Sequence, residues 1–189
     1  MTFKQYRLMD LAVFSVLTFV SEYIASLATS KWFAAQPVAI SVTLALILIV
    51  MHRWGAYAFA VAVAGGLAFC IASKASPEHY LIYCVGNLAA LSSLVYFKVF
   101  GKEAVKGNAP KTLLFVCTSY VSVALGRWLL SLPFGAGFAE LTAFLFTDII
   151  TLLFAVIILW IFRGVDGLIE DQKKYLIRIN QEENDDAQQ

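Results

Sequence analysis

The chain has 189 residues, of which 60% are hydrophobic and only 14% are charged, with a mean hydropathy of +0.76. Soluble domains average about 25% charged residues, so this composition excludes an ordinary soluble domain and favours a membrane protein. The net charge of +1 hides an uneven distribution of Lys and Arg along the chain, and the length allows one compact helical domain.

Six apolar segments are long enough to cross a bilayer, whose hydrocarbon core of about 30 Å requires about 20 helical residues. The segments lack the period-2 alternation of membrane-spanning strands, so we predict helices. The expected fold is therefore an all-α bundle of six transmembrane helices, at residues of about 10–29, 36–51, 55–72, 80–100, 111–132 and 138–162.

The chain changes character after the sixth segment. We divide it into a membrane domain at residues 1–165 and a C-terminal region at residues 166–189. Helical spacing of apolar residues in the second part predicts a short amphipathic helix at the cytoplasmic surface, followed by an acidic tail. A solvated helix that continues the sixth segment is an equal alternative. The residues on the predicted apolar face are Leu168, Gln172, Tyr175, Leu176 and Ile179.

The distribution of Lys and Arg predicts an orientation. With six spans, eleven of these residues lie on the side of both termini, against only Lys31 and Lys74 on the other side. Loops rich in Lys and Arg stay in the cytoplasm, so we predict that both termini are cytoplasmic. The same count favours the first segment as a retained helix over a cleaved signal peptide.

Two residues of opposite charge interrupt consecutive apolar segments, namely Arg127 in the fifth and Asp148 in the sixth. A charge inside a span costs about 2.5–3.5 kcal/mol on insertion scales, so such residues usually face a partner or a water-filled cavity. In the predicted orientation the other polar residues of the spans also collect towards the outer face. We expect an outward-facing pocket for a small molecule, with contacts from Arg127, Asp148, Asn87, Glu22, Tyr83, Tyr120, Tyr80 and Trp128.

Two interpretations of these residues remain open. In a binding pocket, the aromatic rings supply stacking surface and Asn87 supplies directional hydrogen bonds. Arg127 would then grip a ligand carboxylate or carbonyl, or be held by Asp148 or Glu22 until a ligand competes. In a purely structural interpretation, a buried ion pair locks the bundle, and residues such as Tyr80 belong to the aromatic belt at the membrane interface.

The third segment carries small residues at four-residue spacing. Such a pattern lets helix backbones approach closely in lipid, either inside the bundle or against another membrane protein. The residues predicted for docking are Ala56, Ala60 and Ala64.

Motifs of catalysis and nucleotide binding are missing from the sequence. It has no Gly-x-Ser-x-Gly, no His-Glu-x-x-His and no Walker A motif. The two histidines, His52 in a loop beside Arg53 and His79, are predicted to lie at opposite membrane faces. We therefore expect no enzymatic activity, no metal site and no cofactor. ATP hydrolysis, if it drives transport, would belong to another subunit.

The combination of six helices in fewer than 200 residues, cytoplasmic ends and an outward-facing polar site resembles the substrate-binding S component of an energy-coupling factor (ECF) transporter. The sequence Met-His-Arg-Trp-Gly-Ala-Tyr-Ala at residues 51–58 is similar to the glycine-containing cytoplasmic turn between helices two and three of that family. The isolated pairs Gly86-Asn87, Gly126-Arg127 and Thr147-Asp148 resemble the polar positions that line its pocket.

The resemblance implies binding without chemistry in a bacterial plasma membrane. An S component captures a vitamin-like or heterocyclic molecule, or in a minority class a metal ion, from outside the cell. It then topples in the bilayer when engaged by a transmembrane coupling protein and a pair of ATPases. The implied partners are the small molecule, membrane lipid and this ATP-driven module, with no nucleic acid. The family's Ala-x-x-x-Ala motif on helix one is not matched, because Ala12 is followed four residues later by Val16.

Two further classes remain open from the residues alone. One is a stand-alone small secondary transporter or channel that uses Asp148 and Glu22 as proton relays. The other is a membrane scaffold that transports nothing, in which the pocket residues serve only for packing.

Overall fold

The computed structural model describes residues 2–32, 39–165 and 168–186, and nearly all of them are helical. These ranges contain no strand, so the predicted all-helical class is confirmed for the described part of the chain. The α-helices are α1 (Phe3–Trp32), α2 (Thr43–Trp54), α3 (Phe59–Ala72), α4 (Pro77–Gly86), α5 (Val95–Val99), α6 (Lys102–Gly107), α7 (Ala109–Ser131), α8 (Phe138–Thr147), α9 (Ile149–Phe162) and α10 (Gln172–Asp186). Stretches of 3-10 helix adjoin them at Gly55–Ala58, Asn87–Leu94 and Leu132–Phe134.

By length and composition, four helical stretches of the described residues are long and apolar enough to cross a membrane. A fifth span results if α8 and α9, which meet at an angle of 44°, are one bent span. The chain therefore has the helices of a membrane protein. The four stretches are Phe3–Trp32, Thr43–Ala72, Pro77–Val99 and Ala109–Phe134.

The stretch Thr43–Ala72 is not one straight helix, because it turns at Gly55, where φ is 63° and ψ is −126°. A Cβ atom built on Gly65 in α3 would lie 2.3 Å from Thr43 Cγ2 at the start of α2. These two residues would be about 33 Å apart along a continuous helix, which rises 1.5 Å per residue. Helices α2 and α3 therefore lie side by side and antiparallel. A side chain at residue 65 would force them apart.

Helix α2 is the centre of the bundle. It packs against α1, α3, α7 and α9, and all of its residues except Leu46 are buried. The predicted second segment, 36–51, differs at both ends, because the helix runs from Thr43 to Trp54 and residues 39–42 are not helical. The start of that prediction, at residues 36–38, lies outside the described residues.

Helix α1 lies at the periphery and packs most extensively on α3. Its other face exposes large apolar side chains, which is the normal state of a helix that meets lipid or another membrane protein. They include Leu8, Met9, Val13, Val16, Leu17, Val20 and Ile24.

Two glycines bring α4 and α7 close together. A Cβ atom on Gly86 would lie 2.7 Å from Arg127 Cγ, and one on Gly126 would lie 2.5 Å from Ala89 Cβ. Small residues allow this kind of close helix approach in membranes. The contact sets the position of Arg127 beside the residue that follows Gly86, which is Asn87.

The placement of His52 and Arg53 in an orienting loop was wrong. Both residues are buried in the last turn of α2. His52 Nδ1 donates to the Leu48 carbonyl at 3.0 Å. Arg53 donates from Nε and Nη2 to the two oxygens of Asp10, each at 2.8 Å. The charge of Arg53 is therefore compensated by an acidic residue near the start of α1.

The segment before α10 and the first residue of that helix pack against the same end of the bundle. Ile169 and Gln172 are buried, and the Tyr6 hydroxyl donates to Gln172 Oε1 at 3.3 Å. Arg53 Nη1 donates to the Leu168 carbonyl at 3.1 Å. The described C-terminal region therefore begins as a packed element, and the end of the predicted acidic tail, at residues 187–189, lies outside the described residues.

Ion pairs fasten this segment to α6. Lys102 Nζ lies 2.7 Å from Asp171, and Lys106 Nζ lies 3.5 Å from Glu170. Burial opposes ionisation of the Asp171 carboxyl. The hydrogen bond and charge of Lys102, with the backbone N–H of Lys173, nevertheless hold its pKa below the ordinary value.

Candidate functional site

A cavity of about 150 Å³ lies between α1, the start of α2, α3, α4, α7 and the break between α8 and α9. Five of the eight predicted ligand contacts line it, although they come from distant parts of the chain. They are Glu22, Tyr83, Asn87, Arg127 and Asp148.

Arg127 is the centre of a buried hydrogen-bonded cluster. Its Nη1 donates to the Asp148 carboxylate, while Nε and Nη2 donate to Asn87 Oδ1 at 3.1 and 2.8 Å. Its Cζ lies 4.6 Å from the centre of the Tyr83 ring, within the range of a cation–π contact. The guanidinium is therefore compensated by Asp148, held by Asn87 and covered on one face by Tyr83.

Asp148 lies where the helix is broken. Its φ of −93° and ψ of 12° separate α8 from α9, and the two helices bend by 44° there. The Thr147 carbonyl, next to the break, accepts a hydrogen bond at 2.9 Å from the backbone N–H of Ala39. Irregular backbone at membrane depth is tolerated where it lines a cavity, and broken helices are typical of transporter binding sites.

Glu22 is held by the chain that leads into α2. Its Oε2 accepts hydrogen bonds from the hydroxyls of Ser41 and Thr43, each at 2.8 Å. It also accepts from the backbone N–H groups of Val42 and Thr43, at 3.1 and 3.2 Å. These donors lie at the N-terminus of α2, where the helix dipole favours a negative charge. Glu22 is only 2% exposed, and four hydrogen bonds hold one of its two carboxylate oxygens.

The other three predicted contacts lie elsewhere. Tyr120 lines a smaller adjoining cavity of about 20 Å³, and its hydroxyl donates to the Leu145 carbonyl, which ties α7 to α8. Trp128 follows Arg127 directly, so it points about 100° away around α7. Its Nε1 donates to the Gly137 carbonyl at 2.9 Å. Tyr80 is three residues before Tyr83 and lines neither cavity. Trp128 and Tyr80 therefore line neither cavity, and a direct ligand contact by either residue stays a prediction.

Sequence inspection missed two hydroxyls of α1. Ser26 and Thr29 line the larger cavity, and neither hydroxyl has a hydrogen-bond partner among the described residues. They follow Glu22 by four and seven residues, so the three side chains share one face of the helix. That spacing is visible in the sequence and could have identified them.

The residues predicted for docking lie along α3 and its preceding turn. Ala56 is exposed, while Ala60 and Ala64 are half-buried, and Ala60 borders a surface groove between α1 and α3. The same segment has a second series of small residues at four-residue spacing, and its members Ala58 and Ala62 are fully buried and serve packing. Tight packing thus applies to this second series, while docking at Ala56, Ala60 and Ala64 remains a prediction.

Comparisons with known proteins give no relatives for this chain. No known protein family matches it, and no curated protein and no solved structure shows significant similarity. Across the described ranges, no three His, Cys, Asp or Glu side chains are grouped so that they could hold a metal ion.

Proposed function

We propose that this chain is a membrane-embedded subunit that captures a small organic molecule and passes it on with the help of a separate ATP-driven module. The cavity supports this proposal most directly. Charged and polar side chains from four helices and a helix break converge on one unfilled space within an apolar bundle. Groups that lipid does not tolerate are typical of substrate paths in membrane proteins.

The size of the cavity limits the ligand. Drug-sized ligands occupy sites of about 300–1,000 Å³, whereas a cavity similar in volume to this one holds a single benzene ring. The cavity wall includes the Phe69 and Tyr83 rings, whose centres are 4.3 Å apart. A ligand with one flat ring, vitamin-like or heterocyclic, suits this space.

The proposed topology has six spans with both termini in the cytoplasm. The fold-back at Gly55 supports α2 and α3 as separate spans, and the combined length and apolar composition of α8 and α9 support one bent span. The excess of Lys and Arg on the side of the termini supports the orientation. In this arrangement the cavity lies towards the outer face, so it receives ligand from outside the cell, at a bacterial plasma membrane.

The proposed partner is a transmembrane coupling protein with two ATPases. The sequence offers no nucleotide-binding motif, so energy has to come from another chain. Two surfaces suit docking in the membrane, namely Ala56, Ala60 and Ala64 on one side and the exposed apolar face of α1. Small residues of the first surface would allow a partner helix to approach closely.

A second candidate function is a stand-alone secondary transporter or channel. Two carboxylates, Glu22 and Asp148, line the same cavity, as a proton-coupled carrier requires. Transport by the isolated chain would then depend on a proton gradient and on no ATPase.

Purification of the tagged full chain from its native membranes in mild detergent separates these candidates. We expect a coupling protein and two ATPases to co-purify, and Ala60→Trp to lower their recovery. Ala139→Trp, at an exposed position on α8, serves as the matched control. Uptake driven by a proton gradient, by the chain alone in liposomes, would instead establish the secondary transporter. Absence of both results would favour a scaffold.

A further inference from the structure

The charges around the larger cavity do not balance. One cation, Arg127, faces two carboxylates, Asp148 and Glu22. Glu22 accepts four hydrogen bonds on one oxygen, two of them from backbone N–H groups, and such donors stabilise the ionised form. With Glu22 ionised, the cavity wall therefore carries two negative charges against the single positive charge of Arg127.

Arg127 is poorly placed to receive an anionic ligand. Three of its N–H groups already donate to Asp148 and Asn87, and the Tyr83 ring covers one face. An incoming carboxylate would have to displace Asp148 from the guanidinium. It would also bring a further negative charge beside the carboxylates of Asp148 and Glu22, which line the same cavity.

Glu22, in contrast, retains acceptor capacity. All four of its described hydrogen bonds end on Oε2, and no described residue donates to Oε1. Along the same face of α1, the hydroxyls of Ser26 and Thr29 lack partners in the described part of the chain. This row offers one charged acceptor and two hydroxyls to a ligand that carries several N–H donors.

Two aromatic rings of the cavity wall offer a surface on which a flat group can stack. Phe69 lines the cavity next to Tyr83, and the planes of the two rings are inclined by 35°. Aromatic faces attract cations as well as flat apolar rings. The cavity thus combines an aromatic wall with a negative edge.

We propose that the ligand carries a positively charged nitrogen group with several N–H donors, such as an amidinium or a protonated amino-heterocycle, and that Glu22 binds this group. Arg127 is a positioning residue that holds Asp148 and Asn87 in place. This inference rests on the proposed function in that it takes the cavity to be the binding site.

Three probes of nearly equal shape and different charge test the inference directly. Benzamidinium, benzamide and benzoate are each titrated into the purified full chain, and binding is followed by calorimetry and by the thermal unfolding temperature. We expect benzamidinium to bind at least about tenfold more tightly than benzamide, because it adds an ion pair within the cavity, and benzoate to cause no shift.

Charge variants show which side chain is responsible. Glu22→Gln is expected to weaken benzamidinium binding at least about tenfold, since it removes the ion pair and keeps the shape. Glu103→Gln, an exposed position on α6, is the matched control and should leave binding unchanged. The double variant Glu22→Gln/Asp148→Asn makes the cavity net positive and should bind benzoate in preference to benzamidinium.

Tighter binding of benzoate than benzamidinium by the unaltered chain would overturn the inference, and so would binding of neither. Equal benzamidinium affinity in the unaltered chain and the Glu22→Gln variant would overturn it as well. Because the unaltered chain alone ranks the three probes, the charge preference can be measured even if a variant is unstable. Co-purification of the ATPases is measured separately, so failure of the charge preference is distinguishable from failure of the proposed capture function.

Discussion

Arg127 on α7 and Asp148 at the break between α8 and α9 form an ion pair in the interior of the bundle, and the larger cavity lies beside it. Asn87 accepts the two remaining described hydrogen bonds of the guanidinium. The pair therefore joins three helices at the one place where the polar residues of the spans meet. Its partners depend on one another, because each charge would be costly if left alone in this surrounding.

Arg127→Met is expected to lower the free energy of unfolding by about 3–5 kcal/mol, because it leaves the Asp148 carboxylate buried without a counter-charge. Thermal unfolding in detergent measures this loss. The double variant Arg127→Met/Asp148→Leu should be more stable than Arg127→Met, because it removes both charges. A double variant as unstable as the sum of the two single losses would contradict the ion-pair account.

Gly126→Ala is expected to destabilise the chain by about 1–3 kcal/mol, because the new methyl group overpacks the contact between α7 and α4. The added Cβ would lie 2.5 Å from Ala89 Cβ and 2.9 Å from the Gly86 carbonyl. Gly107→Ala is the matched control, since a Cβ there meets nothing within 4 Å. Equal unfolding temperatures for the two variants would show that the close approach is absent.

Asp10→Asn is expected to cost about 1.5–3 kcal/mol, because it weakens the two charged hydrogen bonds that the buried Arg53 donates at the other end of the bundle. The measurement is again thermal unfolding in detergent. Glu103→Gln, which makes the same change at an exposed position, should leave the unfolding temperature unaltered. A similar loss of stability in both variants would mean that the change in net charge, and not the loss of the Asp10–Arg53 pair, causes the effect.

Lys102→Met is expected to loosen the segment before α10, because it removes the ion pair with Asp171. Hydrogen exchange of peptides that cover residues 168–178 should become faster, whereas the exposed position Lys98, changed to Met, should have no effect. Unchanged exchange in Lys102→Met would mean that the other contacts of the segment, such as the Lys106–Glu170 ion pair and the burial of Ile169, are sufficient to hold it.

The same contact has a defined pH dependence. Because the pKa of Asp171 is lowered in the folded chain, its contribution is complete above the ordinary value of 3.8 and is lost as the pH falls through the lower folded value. The segment should therefore exchange more slowly in the unaltered chain than in Lys102→Met at pH 5. This difference should disappear only in stronger acid. Loss of protection already between pH 7 and pH 5 would contradict this assignment.

Much of the site could be predicted from the sequence because charged and polar side chains are costly in contact with lipid. A charged or amide side chain within an apolar run needs a polar partner, so Glu22, Asn87, Arg127 and Asp148 were visible as interruptions. The structure brings all four to one cavity. Hydropathy also identified the helical class, since the described residues contain no strand.

Other features depend on geometry that a hydropathy pattern does not contain. Ser41 and Thr43 hold Glu22 from about twenty residues away, through a stretch that is not helical at Ser41. The break at Asp148 lies within one predicted span and is marked by no glycine or proline, so the sequence pattern did not indicate it. Trp128 does not line the cavity beside Arg127, because neighbours on a helix point about 100° apart and therefore have different surroundings.

The burial of His52 and Arg53 is another feature that a hydropathy pattern does not predict. Basic residues at the end of an apolar run predict a loop at the membrane surface, and their count on one side predicts orientation. Here the C-terminal segment and Asp10 cover that end of α2, so Arg53 lies inside the protein. Contacts between residues this far apart in the chain cannot be inferred from local composition.

The central claim is that the cavity between Glu22, Asn87 and Arg127 holds a small molecule. Mass spectrometry of molecules retained by the detergent-purified chain tests this claim most directly, with Thr29→Phe to fill the cavity and Thr142→Phe, at an exposed position of α8, as the matched control. We expect one retained compound in the unaltered chain and the control, and its loss in Thr29→Phe. Retention of the same compound by all three, or of lipid alone by all three, would contradict the account.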